Sequence, residues 1–95
     1  MTEFQIQPHK EAYQEALLDR RWRELREAIL DRDRHQCRSC GSQTSLHVHH
    51  RQYHRIKTTG IWIKPWEYPE YLLITLCHSC HQTGHQQFSI PIKDI

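Results

Sequence analysis

The chain has 95 residues, with 13 Lys and Arg against 11 Asp and Glu, nine His and four Cys. That length suits one domain whose core alone gives thin stability, and a net charge of +2 does not by itself announce a nucleic-acid binder. The longest apolar run, "YLLITLC", is far too short to span a bilayer, and the first residues carry Glu3, Glu11, Glu15 and Asp19 without an apolar stretch, so neither a membrane span nor a secretory signal is expected.

Residues 1–8 read as a tail ending at Pro8. From His9 to Arg34 no Gly or Pro interrupts the chain, and Leu18, Trp22, Leu25 and Ile29 recur at helical spacing. One long charged helix with a narrow apolar packing face is therefore expected over 9–34. "CRSCG", from Cys37 to Gly41, suits a metal-binding turn. The stretch "TSLHVHHRQYH" alternates as a strand does, with Leu46, Val48 and His50 on one face and His47 and His49 on the other. Next, "RQYHRIKTTGIWIK" carries Arg51, Arg55, Lys57 and Lys64 with no acid, and reads equally as a phosphate-contacting strip or a solvated loop. Gly60, Pro65 and Pro69 punctuate a loop over 57–69. "YLLITLC" is a short buried approach to the second cysteine pair, "CHSCHQTGHQQF" a short helix, and "SIPIKDI" a tail.

Cys37-x2-Cys40 and Cys77-x2-Cys80 form two knuckles, and two residues between ligands let both sulfurs of each reach one ion. In a cytoplasmic, reducing compartment such a pattern favours one structural zinc over two disulfides, and a redox pair would not explain why the motif occurs twice. Metal binding then supplies folding free energy. The histidines need a second site. His81 directly follows Cys80, leaving none of the roughly dozen residues that separate the pairs of a finger-type site. His81 and His85 stand four apart, on one side of a helix, and "HVHH" at 47–50 offers further imidazoles.

Trp22, Leu25, Arg26 and Ile29 in the leading helix, then "CRSCG", "LHVHH", "PWEYP" and "LITLCHSCH", and finally His85, together resemble the HNH endonuclease family, in its four-cysteine zinc-bearing branch from bacteria and phages. The resemblance spans roughly 21–85. It implies an α+β fold in which a long N-terminal helix precedes a small zinc-stapled ββα-metal domain, with knuckles and core over 35–88 and a tail over 89–95. It implies DNA as substrate and metal-dependent phosphodiester hydrolysis leaving 5′-phosphate and 3′-hydroxyl ends. His50 would be the general base, His49, His81 and His85 would hold one catalytic ion (Mg²⁺, Mn²⁺, Ni²⁺, Co²⁺ or Zn²⁺), and Cys37, Cys40, Cys77 and Cys80 the structural zinc. His47 shares the parity of His49 and is a fallback ligand. Arg51, Arg55 or Lys57 would steady the DNA backbone. Leu72 stands where the family has its central Asn, so Tyr71, Thr75 or a backbone carbonyl must orient the base. The rival reading is a non-catalytic zinc module that binds DNA or a protein. A homodimer or a larger phage or bacterial assembly stays open.

Overall fold

A computed structural model describes residues 10–87 and 90–95, with side chains placed for 13–84 and 90–95. Two helices occupy the stretch expected to form one: α1 (Lys10–Ala16) and α2 (Arg20–Arg32). The tail over 1–8 and His9 lie outside the described residues. Asp19 explains the break. It is extended (φ −69°, ψ 142°), its carboxylate accepts the Arg21 backbone N–H at 2.8 Å, and the same carboxylate forks the Arg21 guanidinium at 3.0 Å. An N-cap satisfies a donor that a helix start leaves open, so this local bond wins over unbroken helix propensity. Leu18 is consequently turned out, 78% exposed, while Trp22 and Ile29 keep to the apolar stripe and are buried.

β1 (Leu46–His50) pairs antiparallel with β3 (Leu73–Cys77), placing Leu46 opposite Cys77 and His50 opposite Leu73. α3 (His78–Gln87) follows β3 without a linker. The C-terminal tail is a strand: β4 (Ile92–Asp94) lies parallel to β2 (Tyr53–Arg55), where Arg55 Nε meets Asp94 at 2.8 Å. Between them a 3-10 turn at Pro65–Glu67 is closed by the Lys64 N–H donating to the Glu67 carboxylate at 2.6 Å. Trp22, Ile29, Tyr53, Tyr68, Leu72 and Leu73 meet in the core between α2 and the sheets.

One buried carboxylate ties these pieces together. Asp33, just past α2, accepts from Arg32 Nε at 2.9 Å, from Arg38 in the first knuckle at 2.9 Å, and from the Thr75 N–H of β3 at 3.0 Å. Burial alone would raise its pKa, but the Arg32, Thr75 and Arg38 donors hold it well below the usual carboxylate range. No helix among the described residues is long and apolar enough to cross a membrane.

Candidate functional site

The cysteine knuckles meet. Gly41 closes the first at φ +82°, a conformation cheap only for glycine, and Cys77 ends β3 so that Cys80 falls in the first turn of α3. All four sulfurs lie within 4.8 Å of one another, with Cys40 and Cys77 3.6 Å apart. A tetrahedral ion with bonds of about 2.3 Å sets sulfur–sulfur edges near ~3.8 Å, so the cluster fits one. Backbone N–H groups of Ser39 and Cys40 point at Cys37 Sγ at 3.4 Å, and that of Cys80 at Cys77 Sγ at 3.5 Å. Burial raises the Cys37 thiol, but N–H donors from Cys40, Cys77 and Ser39 outweigh it and bring it down to about 6. Ser39 lowers Cys80, but the Cys77 and Cys40 thiols push it up to about 12. A lowered Cys37 thiol beside raised Cys40 and Cys80 thiols suits a cage whose remaining protons a divalent cation would displace. The four cysteines are positioned to bind a metal ion, and an all-thiolate tetrahedron is a zinc-type donor set.

The alternation of β1 sorts the histidines as its period requires. His47 and His49 face α3: the His49 and His81 rings approach to 4.8 Å between centroids, His47 and His81 to 5.5 Å, and His47 and His78 to 5.7 Å. Burial, with His78 and Arg26 nearby, lowers the His47 pKa. His85 stands one turn beyond His81 in α3, and its side chain lies outside the described residues.

His50 faces the core and is 3% exposed. Its Nε2 lies 3.2 Å from the Pro65 carbonyl, which can only accept, so Nε2 carries the proton and Nδ1 the lone pair. The Tyr13 hydroxyl donates to that Nδ1 at 3.2 Å, and Tyr53 donates to Tyr13 at 3.5 Å. Trp22 and Tyr53 stack on the imidazole at 5.1 and 5.7 Å, and Tyr68 meets it edge-on at 4.8 Å. This apolar box brings the His50 pKa down to about 4 by burial, against the raising effect of Pro65. The two faces of β1 reopen on one cavity of about 290 Å³, lined among others by Tyr13, Arg26, His47, His49, His50 and His81.

No family model, curated protein or solved structure matches the chain.

Of the groups expected to orient His50, a backbone carbonyl, that of Pro65, is the one in reach, 3.2 Å from Nε2. Tyr71 is 74% exposed, Leu72 is in the core, and Thr75 spends its N–H on Asp33. Arg51, Arg55 and Lys57 lie off the cavity; Arg55 is occupied by Asp94 and lies 5.3 Å from the Trp62 ring. Sequence reading missed Tyr13 and Asp33 and gave Arg26 no place in a site. A signal existed for Arg26 and Asp33: Trp22, Arg26 and Ile29 share the inward stripe of α2, and Asp33, just past its end, continues the spacing of four, three and four, so a cation and an acid stand at apolar positions. Glu27 and Asp31 of α2 also cluster with His35, just past its end, but all three are exposed and His35 already bonds Asp31 at 2.9 Å, as solvated surface groups do.

Proposed function

We propose that the chain is a metal-dependent DNA endonuclease of the HNH type, its hairpin and following helix being a ββα-metal arrangement. One observation carries the reading: His49 and His81 approach each other across β1 and α3 and share a cavity with His50 and with Tyr13, whose hydroxyl sits on His50 Nδ1. A pair of imidazoles suited to a divalent ion thus adjoins an imidazole whose basic nitrogen is defined. An ion held by His49, His81 and His85 would supply Lewis-acid stabilisation of the phosphate and of the leaving 3′ oxygen. The protein's own part is proton handling. Pro65 keeps the proton of His50 on Nε2, leaving Nδ1 to take one from water aligned with phosphorus. Tyr13 occupies that position in the structure, so α1 must yield it when DNA and water enter.

A non-catalytic zinc module that binds DNA or a protein is the second reading, favoured by the burial of His50 and by the bonds already made to both its nitrogens. Plasmid nicking separates them. Chelator-stripped protein is reloaded with cage zinc and then given each of Mg²⁺, Mn²⁺, Co²⁺, Ni²⁺ and Zn²⁺, for wild type beside His50→Ala and His49→Ala. Metal-dependent nicking by wild type alone, with DNA binding retained in the variants, is the expected result. Wild type that binds DNA and cuts it with none of these ions makes the chain a binding module.

A further inference from the structure

The cavity beside His50 has an unbalanced charge. Its lining among the described residues includes imidazoles, aromatic rings and one guanidinium, that of Arg26, and no carboxylate. Arg26 reaches it from the inward stripe of α2, four residues after Trp22, and is only half-buried. Its partners hold it weakly: the Leu46 carbonyl at 3.4 Å and the solvent-facing Glu27 carboxylate at 3.7 Å. Arg21, Arg32 and Arg55 differ in this respect, each meeting a carboxylate oxygen at 3.0, 2.9 and 2.8 Å respectively. A loosely partnered guanidinium in a partly desolvated, acid-free hollow attracts an anion, and its planar fork matches two oxygens of a phosphate.

We propose that Arg26 is the oxyanion-binding residue of this cavity and takes one phosphate group. At about 290 Å³ the hollow sits at the small end of ligand sites, so it suits a single phosphodiester with its flanking sugar. Assignment of that group as the scissile phosphate rests on the nuclease reading; the anion site does not.

The test uses inorganic phosphate, titrated calorimetrically at low ionic strength into protein that carries cage zinc and no second ion. Wild type is compared with Arg26→Gln, Arg26→Lys and, as a surface control, Arg20→Gln, whose guanidinium pairs with Glu24 on the exposed side of α2. Zinc content and circular dichroism establish that each variant is folded, and Arg26→Lys keeps the charge if Arg26→Gln is lost to misfolding. Loss of one charge-assisted bond predicts phosphate affinity down about tenfold or more in Arg26→Gln, with a smaller fall in Arg26→Lys and none in Arg20→Gln. Plasmid nicking should lose kcat/KM in the same order. Equal phosphate affinity in wild type and Arg26→Gln overturns the proposal, as does an equal loss in Arg20→Gln. Phosphate binding that needs Arg26 in a protein that never nicks supports the anion site and removes the nuclease reading. Nicking by wild type that survives unchanged in Arg26→Gln, together with unchanged phosphate binding, removes Arg26 and leaves the nuclease.

Discussion

The cysteine cage and the histidine cavity occupy the two ends of one hairpin, Cys77 pairing with the start of β1 and Leu73 with its end, yet they are assembled differently. Each half of the cage is a local turn, with ligands three positions apart and backbone N–H groups on sulfur. The surroundings of His50 are made at a distance, by Tyr13 from 37 positions upstream and Pro65 from 15 downstream. Local chemistry fixes what can be bound; remote packing fixes which nitrogen reacts and whether water can reach it. The cage should therefore behave as a condition of folding, and the cavity as a site that can be emptied of function while the fold stands.

Breaking the cage should have the largest effect. Cys77→Ser, or a strong chelator, is expected to abolish cooperative unfolding and most of the ellipticity, because a structural zinc contributes on the order of 10 kcal/mol to small domains. His49→Ala should keep the fold and its cage zinc. Measuring zinc stoichiometry and thermal unfolding for both variants would break the contrast if the histidine variant collapsed as well.

Asp33 joins α2, the first knuckle and β3, and its removal comes next. Asp33→Ala leaves Arg32 and Arg38 without their shared carboxylate and the Thr75 N–H without an acceptor, which should cost about 3–5 kcal/mol in urea unfolding. Its depressed folded pKa gives the sign with pH: the contribution is fully present above the ordinary carboxylate value of 3.8 and is lost as pH falls below it.

What the sequence revealed follows the same division. The knuckles, the strand alternation that holds over 46–50 and the helix after Cys77 could be read because period and spacing are local properties. So could the parity that sends His49 and His50 to opposite faces. "YLLITLC" read only as a buried approach and proved to carry the strand at 73–77. The break at Asp19 was hidden, since a capping acid inside a charged helix looks like any other surface acid until its N–H partner is seen. The pairing of "IKD" with β2 was hidden too, because a parallel strand of three residues has no pattern of its own and depends on Arg55 and Asp94 finding each other. Tyr13 gave no sign: nothing near it in sequence says that its hydroxyl ends on His50.

His50 sharpens the contrast through pH. Its folded pKa is lowered by burial from 6.5 to about 4, so the stability it contributes is present above 6.5 and is lost as pH falls toward 4. Between pH 7 and pH 5 the wild type should lose roughly 2 kcal/mol more than His50→Phe. Taking the difference between the two proteins cancels the cage's own response to acid. Parallel curves would mean that His50 is not held neutral by its box.

Tyr13→Phe has the smallest expected effect on stability and the most direct bearing on the cavity. The ring contacts with His50 and Tyr53 are kept, and only the hydroxyl on Nδ1 is removed, so unfolding should move by about 1 kcal/mol. Nicking should rise, by about threefold to tenfold, because water no longer competes with a bond of roughly 0.5–1.5 kcal/mol for the basic nitrogen. Burial, with Tyr53 beside it, raises the Tyr13 pKa far above the usual range, so the phenol keeps its proton, caps the base and does not serve as one itself. A fall in nicking with unchanged DNA binding would reverse that assignment. It would make the Tyr53–Tyr13–His50 chain part of the path by which the proton leaves.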